Sequence, residues 1–219
     1  MPSFFGEKLI FSLFSFTIMP FVFEDKRYEN QPLKQEDFVR KYVKKSDTSY
    51  RFLRFLLSPV ATVLYHPVYI GKDNIPESGS VILCSNHRHA ADAAFLSMST
   101  KRTVHYLAKK ELHTSPLGFF YRMAQTIPVD RSRKDSNPSA AAHEILKKNE
   151  VIGIFPEGTR NKHAEELLPF HYGAVRMAQK SGASIVPIAI CGEIKPFTGN
   201  VRIHIGEPYT IGEEADLNE

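Results

Sequence analysis

The run Ser85-Asn86-His87-Arg88-His89-Ala90-Ala91-Asp92 sets an imidazole and a carboxylate five positions apart, directly after the apolar stretch Val81 to Cys84. Neutral imidazole accepts a proton near pH 7, and a carboxylate bonded to its other ring nitrogen fixes the tautomer and stabilises the imidazolium that forms. In a straight helix His87 and Asp92 would diverge by about 140°, so they pair only if His87 lies in a turn ahead of the helix. Residues 79–84 read as a buried strand and Ala90 to Met98 as a helix, which supplies that turn. His87 then stands at a strand's carboxyl end, where open α/β sheets hold their ligands. The plainer alternative is a loop histidine beside an aspartate that favours a helix N-terminus.

A second apolar run breaks into chemistry at Val151-Ile152-Gly153-Ile154-Phe155-Pro156-Glu157-Gly158-Thr159-Arg160-Asn161. Pro156 stops the ladder, Gly158 permits a positive φ or the close approach of a ligand, and Arg160 offers a planar fork of donors suited to phosphate. Glu157 would bind a substrate hydroxyl or pair with an arginine. Lys109, in Ala108-Lys109-Lys110-Glu111-Leu112, and Arg131, in Ile127-Pro128-Val129-Asp130-Arg131, each follow another short apolar segment. If those strands are neighbours, Lys109, Arg131 and Arg160 converge and bind a phosphate dianion without a metal, through charge-assisted bonds. Otherwise Lys109, Lys110, Arg131, Arg133 and Lys134 form a solvated basic rim.

Together these segments resemble the 1-acyl-sn-glycerol-3-phosphate acyltransferase family over roughly residues 70–206. Asn86-His87 with Asp92, the apolar run ending at Arg131, Phe155-Pro156-Glu157-Gly158-Thr159-Arg160 and Val186-Pro187-Ile188 stand in the family's order. One stretch departs: Phe170-His171-Tyr172-Gly173-Ala174 replaces a Phe-Lys-x-Gly-Ala pattern. The resemblance implies His87 as the general base that deprotonates the acceptor hydroxyl, with Asp92 orienting it. It implies Glu157, Gly158, Thr159 and Arg160 in acceptor binding, with Arg131 and Lys109 at the phosphate. The implied reaction moves a fatty acyl group from an acyl-CoA or acyl carrier protein thioester to 1-acylglycerol-3-phosphate, giving phosphatidate. Glycerol-3-phosphate or another lysophospholipid is the alternative acceptor. A thioester hydrolase and a non-catalytic lipid-binding protein are the rival classes. No acyl-enzyme is required, and Cys84, inside an apolar run, is expected to be inert. Turn amides near His87 or Gly158 are candidates to stabilise the oxyanion.

The elements that must position these residues follow from the chain as a whole. With 219 residues, 42% of them hydrophobic, there is room for one sizeable core. Strands are predicted at about 80–85, 103–108, 126–129, 151–155, 184–190 and 200–206, with helices near 92–100, 116–124, 138–149 and 171–181. The alternation indicates an α/β domain, and the resemblance adds a mixed, largely parallel sheet flanked by helices, like that of glycerol-3-phosphate acyltransferase. The partition expected is 1–66, an N-terminal hydrophobic and amphipathic membrane-associating segment, and 67–219, the catalytic domain.

Two cysteines in separate apolar runs suggest a reduced compartment. Neither His87-x-His89 nor Cys84-x-x-His87 has a second ligand pair at suitable spacing, so no metal is expected, and no cofactor beyond the thioester co-substrate. Leu9 to Phe23 is uncharged and apolar but short of the roughly 20 residues that span a bilayer, and it carries Pro20. Phe38, Val39, Tyr42 and Val43 recur at helical spacing beside Arg40, Lys41, Lys44 and Lys45, and Arg51 to Tyr65 adds a second such stretch. Such helices lie on anionic lipid or cover the domain. A net charge of +4 suits an anionic membrane surface or an acidic carrier protein, and no nucleic-acid motif accompanies it. The expected location is the membrane, with the catalytic domain on the cytoplasmic side.

Overall fold

The computed structural model describes residues 33–43, 47–130, 132, 136–161, 166–197 and 200–212. Leu9 to Phe23, Lys44, Lys45, Arg131, Arg133 and Lys134 lie outside the described residues. Seven strands form one sheet: β1 (Val68–Ile70), β2 (Val81–Ser85), β3 (Val104–Lys109), β4 (Ile127–Val129), β5 (Val151–Ile154), β6 (Ser184–Cys191) and β7 (Arg202–Ile205). Their spatial order is β1-β7-β6-β2-β5-β3-β4. All pairs are parallel except β6 with β7, so β1 and β7 run against the other five. The sheet is therefore mixed and largely parallel, as the resemblance implied.

The central strands are continuous apolar runs because both sheet faces are covered. Val81 and Leu83 of β2 enter the cluster on one face with Phe95, Leu96, Val104, Val151 and Val186. Ile82 points the other way, joining Ile127, Ala142, Ile145, Ile152 and Ile185. Helices α1 (Gln35–Val43), α6 (Asn137–Lys147) and α7 (Gly173–Ser181) supply the second of these faces, and α2 (Thr48–Tyr65) and α3 (Asp92–Ser99) the first. Short α4 (Lys110–Thr114) and α5 (Gly118–Met123) connect β3 to β4. Every predicted strand and helix is present to within a few residues. The three-residue β1, the one-turn 3₁₀ segment Lys72–Asn74 and α4 were not predicted, being too short to carry a period.

The two candidate surface helices divide. Phe38 and Val43 of α1 are buried against α6, so this apolar face covers the domain. Helix α2 turns Tyr50, Leu53, Ala61 and Tyr65 inward, while Phe52, Phe55 and Val63 are exposed, Phe55 at 76%. No described helix is long and apolar enough to cross a membrane.

At the amino edge of the sheet the polar groups serve cohesion. The Arg102 guanidinium donates to the carbonyls of Pro76, Gly79 and Asn149, tying three loops together. Nearby, His105 Nε2 lies 2.7 Å from Glu150 Oε2. Replacing Arg102 by Met keeps the stem and removes these bonds, so chemical denaturation should show a loss of about 2–3 kcal/mol. Turnover of the folded variant should be unchanged, because this edge lies across the sheet from His87.

Candidate active site

Strands β2, β5, β3 and β4 are consecutive and parallel, so their carboxyl ends line one edge. His87 follows β2, the Glu157–Arg160 turn follows β5, Lys109 ends β3, and Asp130 follows β4. The neighbour relation that convergence of the cations required is thus present in the fold. With strands about 4.8 Å apart, the Lys109 strand is about 10 Å from the His87 strand, a span that a glycerol phosphate and one extended side chain can bridge. Lys109 is exposed, and the adjacent Lys110 lies 3.7 Å from Asp130. Arg131 lies outside the described residues.

The turn that carries His87 is fixed from both flanks. Asn86 uses its amide as a substitute peptide: Nδ2 donates to the Ile190 carbonyl at 3.0 Å, and the Ile190 N–H donates to Oδ1 at 2.8 Å. This extends the β2–β6 pairing by one residue. The N–H of His87 donates to Glu157 Oε1 at 2.7 Å, and its carbonyl accepts the Asn161 N–H at 2.7 Å. Glu157 Oε2 accepts the Leu168 N–H at 3.1 Å, so this buried carboxylate braces the turn around the histidine.

His87 Nδ1 lies 2.9 Å from Asp92 Oδ2. The same oxygen accepts the N–H of Arg88 at 2.6 Å and of His89 at 2.7 Å. Asp92 is fully buried at the first position of α3, whereas the His87 side chain is 21% exposed. Two backbone N–H groups at a helix N-terminus donate to this carboxylate oxygen. A carboxylate oxygen in that setting accepts, so Nδ1 donates to it and Nε2 keeps its lone pair. The sequence expectation that His87 precedes the helix and pairs with Asp92 therefore matches the geometry.

The cationic turn is tight. The Gly158 N–H donates to the Phe155 carbonyl at 3.0 Å, and Gly158 has φ +66°. A Cβ there would come 3.0 Å from the His171 ring, so the position suits glycine by both backbone and space. Thr159 and Arg160 are exposed beyond it. Arg160 carries its charge toward α5, where it opposes the upward pull of burial on the Tyr121 phenol. Of the turn amides in this region, those of His87 and Gly158 donate to Glu157 Oε1 and the Phe155 carbonyl. Burial pushes the Cys84 thiol up to about 11, as its apolar setting suggested.

Sequence reasoning assigned no role to Asn86, Asn161 or Phe155. Asn86 and Asn161 act on backbone groups distant in sequence, and Phe155 stacks on His87. Residue type alone carries no signal of such contacts.

A family model described as acyltransferase matches residues 66–191. The 1-acyl-sn-glycerol-3-phosphate acyltransferase of Bacillus subtilis is 32% identical over 175 residues, covering 77% of this chain and 86% of that protein. The enzyme of the same name from Helicobacter pylori is 35% identical over 127 residues, 55% of this chain and 52% of its own length, so the chain matches about half of that relative. Among solved structures, the 1-acyl-sn-glycerophosphate acyltransferase PlsC of Thermotoga maritima superposes with a TM-score of 0.62 at 21% identity, over 84% of this chain and 82% of that one. That likeness supports the fold. With a family model matching more than half its length and its dyad and cationic turn on one sheet edge, this chain belongs to the acyltransferase family.

Proposed function

We propose that the chain transfers a fatty acyl group from a thioester, acyl-CoA or acyl carrier protein, to the free hydroxyl of 1-acylglycerol-3-phosphate, giving phosphatidate. One observation carries this reading: a partly exposed histidine with a buried carboxylate on Nδ1 stands beside a turn ending in Arg160, in a chain of this family. Nε2 takes the hydroxyl proton as the oxygen attacks the thioester carbonyl, and Asp92 stabilises the imidazolium. Collapse of the tetrahedral intermediate breaks the C–S bond. The imidazolium then returns its proton to the departing thiolate, which restores the neutral base. Lys109, Arg131, Arg160 and Thr159 bind the acceptor's phosphate end, with Glu157 and Gly158 shaping the turn that presents them. No metal or further cofactor enters this scheme.

The catalytic domain works at the cytoplasmic face of a membrane, where both acceptor and product reside. Supporting this placement are the outward Phe52, Phe55 and Val63 of α2 beside Arg51 and Arg54, a pattern suited to an anionic interface. The positive net charge draws the protein to such a surface and to acidic acyl carriers.

His87→Ala should fold and bind acceptor yet lose about two to four orders of magnitude in kcat, measured by resolving labelled lipid products. Normal turnover would remove His87 from the chemistry, and acceptor-independent release of free fatty acid would favour a hydrolase. For Arg160→Ala we expect a raised acceptor KM with a smaller change in kcat; an unchanged KM would put the phosphate elsewhere. Cys84→Ser should retain transfer, and iodoacetamide at pH 8 should consume the exposed Cys191 while sparing Cys84. Substituting both Phe52 and Phe55 by Ser should weaken co-sedimentation with phosphatidylglycerol vesicles by at least about tenfold.

A further inference from the structure

The His87 ring lies against the ring of Phe155, with centroids 4.2 Å apart and planes inclined by 19°. Behind it, Phe155 runs nearly parallel to Tyr106, at 6.3 Å and 11°. Three rings from three neighbouring strand segments thus form one offset stack behind the dyad. Its seat is set by register: Tyr106 of β3 pairs with Gly153 of β5. A Cβ at residue 153 would fall 2.3 Å from Tyr106 Cε1, so only glycine lets the phenol ring lie flat across β5.

Tyr106 also reaches the other member of the dyad. Its hydroxyl donates to the Ala93 carbonyl at 2.9 Å and lies 3.0 Å from Ser97 Oγ. Both partners belong to α3, the helix that begins with Asp92. Burial pushes the phenol well above its ordinary range, which keeps the hydroxyl protonated and able to donate. One side chain therefore references the imidazole through Phe155 and the carboxylate through α3.

The hydrogen bond from Nδ1 holds the imidazole at a single atom, and the χ2 torsion of histidine is otherwise broad. A ring face against it removes that remaining freedom. We propose that Phe155 and Tyr106 are positioning residues for the base: the stack fixes the imidazole plane, and the phenol hydroxyl fixes the helix that carries its carboxylate. The proposal rests on His87 acting as the base. Displacing a reacting group by about 1 Å costs on the order of a hundredfold in rate.

The test compares the full chain with its Phe155→Leu, Phe155→Tyr, Tyr106→Phe and His87→Ala variants, using 1-acylglycerol-3-phosphate in mixed micelles and a long-chain acyl-CoA or acyl carrier protein thioester. We expect Phe155→Leu to lower kcat by about 10- to 100-fold with acceptor KM within about twofold, and Phe155→Tyr to restore most of the rate. Tyr106→Phe, which keeps the ring and cuts the tie to α3, should lower kcat by about tenfold with KM preserved. The His87 ring-proton resonances, identified by their loss in His87→Ala, should lie upfield in the parent and move downfield in Phe155→Leu. Parent-like kcat in Phe155→Leu, a loss shared equally with KM, or unshifted resonances overturns the proposal while leaving His87 as base. Parent-like kcat in His87→Ala overturns the base assignment itself, whatever the resonances report about the stack.

Discussion

A single buried oxygen organises the catalytic edge. Asp92 Oδ2 gathers the N–H groups of Arg88 and His89 together with His87 Nδ1, all within 2.9 Å. A carboxylate removed from water is costly unless donors replace its hydration, and here the donors to Oδ2 are the very turn that must be shaped, while Oδ1 is buried without a hydrogen bond. The N-terminus of α3 adds a favourable dipole. The same bonds curl residues 87–89 around the carboxylate and settle which imidazole nitrogen pairs with it. Chain folding and orientation of the imidazole are thus one event.

That turn would be poorly defined without its neighbours. Glu157 and Asn161 grip the backbone of His87 from β5's side, and Asn86 grips β6. The amino edge works differently: Arg102 satisfies carbonyls from three loops, a purely cohesive use of charge. Placement of polar residues at the carboxyl ends of parallel strands follows here from the consecutive order β2-β5-β3-β4, which puts His87, the cationic turn and Lys109 on adjacent strand ends.

Much of this was legible beforehand, for identifiable reasons. Strands such as Val81–Ser85 and Val151–Ile154 are apolar runs that end abruptly in polar residues, so both their existence and their ends could be read. The requirement that His87 precede its helix followed from helical geometry alone. What escaped were facts of register. That Gly153 faces Tyr106 depends on β3 lying beside β5, although they are far apart in sequence. Glu157 suggested a ligand or an arginine partner, yet its oxygens take backbone N–H groups of His87 and Leu168, a choice invisible until loop paths are known. The split personality of α2 arises because its apolar residues cover more than half its circumference, and sequence alone does not say which side meets the sheet.

The bonds joining the His87 turn to the Glu157–Asn161 turn carry a lesson for redesign. Positions 157 and 161 are tied to the backbone of His87, so their identities cannot drift separately from the geometry of that residue. Thr159 and Arg160 project outward from the same loop. Substitution in this loop therefore has its latitude concentrated in two adjacent codons, bracketed on either side by positions where diversity would disturb the fold of the turn.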